Sequence, residues 1–225
     1  AEIGIDSALR GLVHVDELRV MLERDTSSAV RILDVRGNPG GEIGVCLNAA
    51  DEFVADGKPL LHLVVRGFDG RGRQKIDTAH FMAHGGGAGE RGAFLILIDS
   101  TSASCAEIFA AAVRENRPDV RFVGTRSYGK GIGQSHWNTP AGGLASITNL
   151  EIRTPLWNNY HGRGLPVDVP VDSGDILHKA LELSGSVTAR RAPLIVTRNT
   201  EHLYFLDYSR DVHMSGSWIS GESWP

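Results

Sequence analysis

Apolar positions along the first half of the chain alternate between helical and strand-like spacing. Val15, Leu18 and Leu22 recur at the 3.6-residue period of an amphipathic helix, which predicts a helix over Val15–Arg24. Compact runs rich in β-branched and large aliphatic residues predict buried strands instead. The predicted strands are Val30–Val35, Leu60–Val65, Phe94–Ile98 and Arg121–Val123, and the other predicted helices are Ile43–Val54, Ala103–Asn116 and Ile176–Leu183.

The order of these elements indicates an α/β fold. Strands that alternate with helices over Val15–Val123 are typical of a mainly parallel sheet. In such a sheet, functional groups gather in the loops that follow the carboxyl ends of the strands. Three loops have that position, and they are Gly37–Gly41, Asp99–Ser104 and Gly124–Gln134.

The remaining segments have different patterns. Phe68–Lys75 predicts a hairpin, Thr78–Gly92 is polar and glycine-rich and predicts a loop, and Leu144–Ile152 alternates as an antiparallel strand does. We therefore predict one core domain over residues 1–185. Residues 186–225 differ in composition and are predicted to form a C-terminal extension.

Composition limits the classes of function. The chain has 225 residues, of which 41% are hydrophobic and 22% are charged, and this predicts a folded protein with a sizeable core. The net charge of −4 argues against broad binding of nucleic acid or of an anionic membrane surface. Unbroken apolar runs are too short for membrane insertion, and no signal peptide precedes Ala1. The two cysteines exclude a disulfide framework and a cysteine-rich zinc site.

Three motifs suggest other chemistry, but each lacks a part that this chemistry needs. Gly124–Lys130 matches the P-loop pattern G-x-x-x-x-G-K, yet Gly131 stands where a Ser or Thr would bind magnesium. His84–Gly87 resembles an esterase oxyanion loop, but the chain has no G-x-S-x-G nucleophile elbow. His80 and His84 could share a helical turn and bind a metal, but the glutamate of H-E-x-x-H is missing. We therefore predict no nucleotide, no metal ion and no cofactor.

A serine and a lysine occupy two of the three loops. Ser104-x-x-Glu107 is a capping box, so Ser104 has a structural explanation as a helix N-cap. The same position, between a buried strand and a helix, also stabilises an oxyanion through the amides that follow. Lys130 lies between two glycines in the next loop, and adjacent parallel strands would bring the two loops together. A desolvated lysine gives up its proton more readily and could then deprotonate the serine, whereas a surface lysine would do neither.

Four segments resemble, in order, the signatures of the C-terminal processing (tail-specific) serine proteases. They are Ile32–Gly41 (ILDVRGNPGG), Ser102–Ile108 (SASCAEI), Tyr128–Gln134 (YGKGIGQ) and Gly162–Val169 (GRGLPVDV). Any one of these strings is weak, but the four in the family's order identify the chain as a member of the family. Two departures stand out: the usual S-A-S-A-S-E is S-A-S-C-A-E here, and no PDZ-like substrate-recognition domain precedes the core.

The resemblance implies a crotonase-like α/β core and assigns roles to five residues. Ser104 matches the family's nucleophile, and Lys130 matches its general base. Gln134 matches the residue that orients the lysine amine in some members. Gly41 of the G-N-P-G-G turn and the amide of Cys105 match the two donors of the oxyanion hole, and a glycine turn lets a backbone amide approach a substrate closely.

The resemblance favours a serine endopeptidase that hydrolyses peptide bonds through an acyl-enzyme, as the family does near substrate C-termini. Its partners would be peptide or protein substrates, and Leu144–Ile152 could pair with an extended substrate. Two alternatives stay open: a small-peptide or ester hydrolase, or an acyl-transferring cyclase, with the same Ser–Lys pair; and a non-catalytic ligand-binding module on a protease-like core. The resemblance also favours an extracytoplasmic or secreted location and leaves homo-oligomers open.

Overall fold

The computed structural model describes residues 15–24, 30–172, 174–184 and 194–196. Four helices and nine strands lie in these ranges. In chain order they are α1 Val15–Arg24, β1 Val30–Asp34, α2 Ile43–Asp51, β2 Pro59–Phe68, β3 Gln74–Met82, β4 Ala93–Ile98, α3 Cys105–Asn116, β5 Arg121–Gly124, β6 Ile132–Asn138, β7 Leu144–Arg153, β8 Val169–Pro170, α4 Ile176–Leu183 and β9 Leu194–Val196.

Five strands form a sheet in which every pair is parallel. Their order is β8-β5-β4-β1-β9, so β1, β4 and β5 are direct neighbours. The carboxyl ends of these three strands therefore meet at one edge, which brings together the loops that follow them. The predicted α/β fold with a mainly parallel sheet is confirmed.

Four strands form a second sheet, and all of its pairs are antiparallel. Their order is β3-β2-β7-β6. The predicted hairpin at Phe68–Lys75 joins β2 to β3, and the predicted strand Leu144–Ile152 is β7. β7 pairs with β6 on one side and, over residues 150–153, with β2 on the other, and no strand in the described ranges pairs with the outer edge of β6.

Two apolar clusters hold the layers together. The larger cluster contains residues of both sheets together with α1, α2 and α3. The smaller one contains alternate residues of the parallel sheet, such as Ile32 and Leu97, packed against Ile176 and Ala180 of α4. Alanines 106, 110, 111 and 112 of α3 are all buried, and their small side chains let this helix pack closely against its neighbours. The start of α3 is thereby fixed beside the ends of the parallel strands.

Two segments differ from the sequence predictions. Thr78–Gly92 was predicted as a loop, but β3 extends through it as far as Met82, because Ala79 and Phe81 pair with Leu63 and Leu61 of β2. β6 was not predicted, since its polar, glycine-containing sequence acquires strand geometry from its pairing with β7.

The predicted C-terminal extension is described over three residues only. Leu194–Val196 form β9, which pairs in parallel with Ile32–Asp34 of β1. The rest of 186–225 lies outside the described residues. Among the helices that are described, none has the length and apolar character to cross a membrane.

Candidate active site

The three loops at the carboxyl edge of the parallel sheet are joined by backbone hydrogen bonds. The amide of Ala103 donates to the carbonyl of Asn38 over 2.9 Å, which connects the loop after β4 to the loop after β1. The amide of Tyr128 donates to the carbonyl of Ser102 over 3.0 Å, which connects it to the loop after β5. The sequence-based expectation that these loops meet is therefore confirmed.

A half-buried aspartate also stabilises the contact between the first two loops. Asp99 Oδ1 accepts hydrogen bonds from the amides of Gly37, Thr101 and Ser102, and the Ser102 hydroxyl donates to the carbonyl of Val35 over 2.8 Å. Burial raises the pKa of the Asp99 carboxyl, but these hydrogen bonds outweigh it and hold the pKa below its ordinary value. The carboxylate is therefore ionised and acts as an acceptor at the centre of the loop pair.

Ser104 occupies a strained position at the start of α3. Its φ is 55° and its ψ is −115°, and it is one of two non-glycine residues with a positive φ in the described ranges. Strain of this kind costs on the order of 1–3 kcal/mol and persists where the surroundings enforce it. The Ser104 side chain is half-buried at the end of the loop. The sharp turn presents its hydroxyl at the carboxyl edge of the sheet.

Gly40 of the G-N-P-G-G turn lies directly against Ser104. A Cβ atom on Gly40 would lie 2.7 Å from Ser104 Cβ and 2.6 Å from the backbone nitrogen of Cys105, so only glycine fits. The amide of Gly40 donates to Asn38 Oδ1 over 2.9 Å and is thereby engaged. Gly41, the residue that the resemblance selects, is exposed one residue further on.

The amides of Gly41 and Cys105 are the two predicted donors of an oxyanion hole. Neither donates a hydrogen bond within the ranges that the structure describes. For Cys105 the reason is its place as the first residue of α3, where no carbonyl precedes it in the helix. Its thiol is buried and donates to the carbonyl of Glu42 over 3.1 Å, which connects the start of α3 to the glycine turn.

Glu107 is the side chain that joins the nucleophile loop to the base loop. Its carboxylate is fully buried. Oε2 accepts from the amides of Ser104 (2.9 Å) and Lys130 (2.8 Å), and Oε1 accepts from the hydroxyl of Ser127 (2.5 Å) and the amide of Gly129 (2.7 Å). Because one oxygen atom binds both amides, the backbones of Ser104 and Lys130 lie side by side. The sequence indicated Glu107 as a capping residue only and missed its contact with the base loop.

Lys130 is half-buried between two glycines that the packing requires. A Cβ on Gly129 would lie 2.7 Å from the amide of Gly164, and a Cβ on Gly131 would lie 3.1 Å from the amide of His161. The described residues contain no hydrogen bond between Lys130 Nζ and Ser104 Oγ and no carboxylate paired with that amine. The structure thus brings the two backbones together, and the amine has no hydrogen-bond or ion-pair partner among the residues that the structure describes.

Gln134 is exposed on β6, and its Nε2 donates to Thr148 Oγ1 of β7 over 3.4 Å. Within the described residues, no hydrogen bond joins its side chain to Lys130 or Ser104.

Two more buried groups lie behind the site. Burial raises the pKa of the Cys46 thiol, and so does its hydrogen bond with Cys105. Burial and the nearby Glu107 charge raise the pKa of Tyr160, whose hydroxyl has no hydrogen-bond partner within the described residues. Both groups are therefore neutral at physiological pH.

The other motifs have structural explanations. Lys130 is followed by β6, where a P-loop would have a helix. His80 lies on β3 and contacts His62, whereas His84 binds Asp51 through its amide and its ring, so the two histidines do not share a helical turn. No cluster of three potential metal-ligating side chains occurs in the described part of the chain.

The sequence profile of peptidase family S41 matches residues 16–171, and the protein belongs to this family. A carboxy-terminal-processing protease of Bartonella bacilliformis is 30% identical over 141 residues, which are 63% of this chain and 30% of that protein. A probable CtpA-like serine protease of Staphylococcus aureus is 28% identical over 142 residues, which are 63% of this chain and 27% of that protein. The predicted membership in the C-terminal processing protease family is confirmed. The chain spans less than a third of the length of these relatives.

Two solved structures share the fold. The photosystem II D1 C-terminal processing protease has a TM-score of 0.59 at 23% identity, and the match covers 80% of this chain and 44% of that one. Mature CPAF, in its complex with lactacystin, has a TM-score of 0.60 at 13% identity, and the match covers 79% and 47%.

Proposed function

We propose that the protein is a serine peptidase in which Ser104 is the nucleophile and Lys130 is the general base. One observation carries this proposal: the amides of both residues bind the same oxygen of the buried Glu107. A buried carboxylate with four hydrogen bonds holds its partners rigidly, because each donor would otherwise lose a charge-assisted bond. The two residues are thereby held as neighbours at the backbone, as a proton transfer from the Ser104 hydroxyl to the Lys130 amine requires.

The reaction would proceed through an acyl-enzyme. The neutral amine of Lys130 accepts the hydroxyl proton as Ser104 Oγ attacks the peptide carbonyl, and the resulting ammonium gives this proton to the departing amine as the C–N bond breaks. The same amine then takes a proton from water, whose oxygen attacks the ester, and returns it to Ser104 as the acid product leaves.

The amides of Gly41 and Cys105 would bind the oxyanion. Both are free of hydrogen bonds in the described ranges, and the positive end of α3 lies at Cys105. Removal of one such donor costs roughly 10²–10³ in turnover. Gln134 would orient the lysine amine only after its side chain leaves Thr148, so in this chain it is the least supported of the five assignments.

Substrate would bind as an extended strand along β6, whose outer edge pairs with no strand in the described ranges. The Thr139 amide donates to the Gly143 carbonyl in the turn before β7, and the Gly131 carbonyl accepts from the amide of Ile152 in β7. Because these pairs alternate in an antiparallel ladder, the amides and carbonyls of Ile132, Gln134 and His136 point outward. The first of them is two residues from Lys130. β7, the docking strand that the sequence suggested, pairs with β2 over residues 150–153 only, so residues 144–149 stay a second candidate edge.

A fluorophosphonate probe tests the catalytic pair directly. We expect it to label Ser104, and we expect Lys130→Ala to slow labelling by roughly 10²–10⁴-fold, because the base no longer takes the proton. Lys58→Ala, which removes an exposed lysine before β2, serves as the control and should label at the wild-type rate. Equal labelling of Lys130→Ala and the wild type would refute the assignment of the base.

Substrate assays then separate the alternatives. Cleavage of an unstructured protein such as casein supports a peptidase, whereas turnover of small esters without peptide cleavage supports a small-molecule hydrolase. A Ser104 that no probe labels would favour the non-catalytic binding module. Each result is informative, since the probe and the substrates report different steps.

A further inference from the structure

Two loops that pack against each other carry basic side chains beside Lys130. Residues 126–131 and 160–164 are joined by a hydrogen bond from the Gly162 amide to the Gly129 carbonyl (2.8 Å). No Asp or Glu occurs in residues 125–134 or 159–167. The basic residues of this loop pair, besides the proposed base, are Arg126, His161 and Arg163.

Hydrogen bonds to backbone carbonyls fix these three side chains. Arg126 Nη1 donates to the Gly164 carbonyl over 3.2 Å, and Arg163 Nη2 donates to the Asn159 carbonyl over 2.5 Å. His161 Nδ1 lies 3.1 Å from the Gly129 carbonyl and therefore carries a proton there, which leaves Nε2 facing outward. A guanidinium has five N–H donors, so each arginine keeps most of its donors for a ligand.

Three carboxylates of the surrounding elements are engaged elsewhere. Glu107 is buried with four hydrogen bonds. Glu151 binds Arg153 and Asn159, and Asp168 binds Arg114 together with the amide of Phe122. Arg126 and Arg163 are exposed, and neither forms an ion pair within the described residues.

We propose that this loop pair binds a carboxylate group of the peptide substrate. The inference rests on the proposed peptidase function and adds a substrate preference to it. Two guanidinium groups, each held by a backbone carbonyl of this loop pair, offer the paired N–H donors that a planar carboxylate accepts. In a protein whose net charge is −4, they place positive charge on the loop of the proposed base and on the loop that packs against it. The carboxylate comes from an Asp or Glu side chain or from the terminal carboxylate of the peptide.

Peptide binding to Ser104→Ala tests the site without any dependence on turnover. Fluorescence anisotropy would compare two pairs of labelled peptides: one with Asp against Asn at an internal position, and one with a free C-terminus against a C-terminal amide. We expect about tenfold tighter binding for the carboxylate member of one pair, which identifies the source of the carboxylate. Adding Arg126→Gln and Arg163→Gln should reduce this preference to less than about twofold.

A matched double variant controls for the loss of two charges. Arg71→Gln with Arg91→Gln removes two exposed arginines, one in the β2–β3 turn and one before β4, and should keep the tenfold preference. Equal affinity within both peptide pairs, or a preference that survives in the Arg126/Arg163 variant, would overturn the proposal. The fluorophosphonate test of Ser104 is independent, so failure of the peptidase function is distinguishable from failure of this site.

Discussion

At the residue scale, Glu107 determines how the candidate nucleophile and base meet. One carboxylate oxygen accepts from the amides of Ser104 and Lys130, and the other accepts from two groups of the base loop. The side chain is fully buried, so water does not reach either oxygen. A carboxylate can accept at both oxygens, whereas an amide of the same shape accepts at one and donates at the other. This difference makes the residue testable by a nearly isosteric change.

Glu107→Gln should weaken both stability and reactivity. The new NH₂ group faces two buried donors that then have no acceptor, which costs about 2–3 kcal/mol of unfolding free energy. The displaced amides of Ser104 and Lys130 should slow fluorophosphonate labelling at least tenfold. Urea unfolding and the labelling rate measure the two effects separately.

Glu115→Gln is the matched control at the other end of α3. Glu115 also accepts several hydrogen bonds, from Thr154, Leu156 and Asn158, and it lies far along the helix from Ser104. This variant should lose comparable stability and retain the wild-type labelling rate. If both variants slowed labelling equally, Glu107 would have a general structural role and no specific one at the site.

Single residues set the limit of what the sequence predicts about the site. Ser104, Lys130 and the capping role of Glu107 follow from local strings. The second role of Glu107 depends on a contact between residues 107 and 130, which only the adjacency of β4 and β5 creates. The close fit of Gly40 against Ser104 likewise follows from the packing of the turn and cannot be distinguished in sequence from Gly41.

At the element scale, the parallel strands were predictable and the antiparallel strands were less so. Three of the parallel strands, β1, β4 and β5, are buried on both faces. Their continuous apolar runs therefore predicted them as buried strands. Every residue of β6 is exposed or half-buried, Gly131 precedes the strand and Gly133 lies within it, so its own sequence indicates a loop. Strand geometry there comes from the partner strand, which is information that a local pattern lacks.

Methylation of single peptide nitrogens tests the role of the β6 edge. A strand added to an edge donates hydrogen bonds from every second amide, so N-methyl groups at alternate positions should reduce kcat/KM by about 2–10-fold each. The intervening positions should tolerate the methyl group. The measurement is a scan of one cleavable peptide, with rates followed by mass spectrometry. A scan without two-residue periodicity would exclude strand addition.

At the scale of the whole molecule, one histidine pair makes stability depend on pH. His62 is buried in β2, where its Nε2 lies 3.1 Å from the Pro155 carbonyl and its Nδ1 lies 2.8 Å from Nδ1 of His80. Nε2 must therefore carry the proton, and Nδ1 must accept one from His80. Burial lowers the pKa of His62, and the charge of His80 lowers it further. A second proton on His62 would occupy Nδ1 and break the hydrogen bond with His80.

The direction of the effect follows from this lowered pKa. The unfolded chain takes up the proton near pH 6.5, before the folded protein does, so stability is retained above that pH and is lost as the pH falls further. The loss of unfolding free energy is at most about 1.4 kcal/mol per pH unit for one proton.

Urea unfolding at pH 7.5 and 5.5 should show a smaller loss of unfolding free energy for His62→Phe than for the wild type. His136→Phe, at an exposed site on β6, should match the wild type, and an equal loss in all three would contradict the assignment to His62.

The strand β9 determines where a truncated form of this protein can end. Leu194–Val196 closes the outer side of β1, although it lies past the last residue of the family match at position 171. Without it, Ile32–Asp34 would present a row of unsatisfied backbone groups along a flat apolar strand, which is a template for self-association. A fragment that ends with the family match would therefore expose the edge of β1 and aggregate. A truncated protein made for expression has to end after Val196.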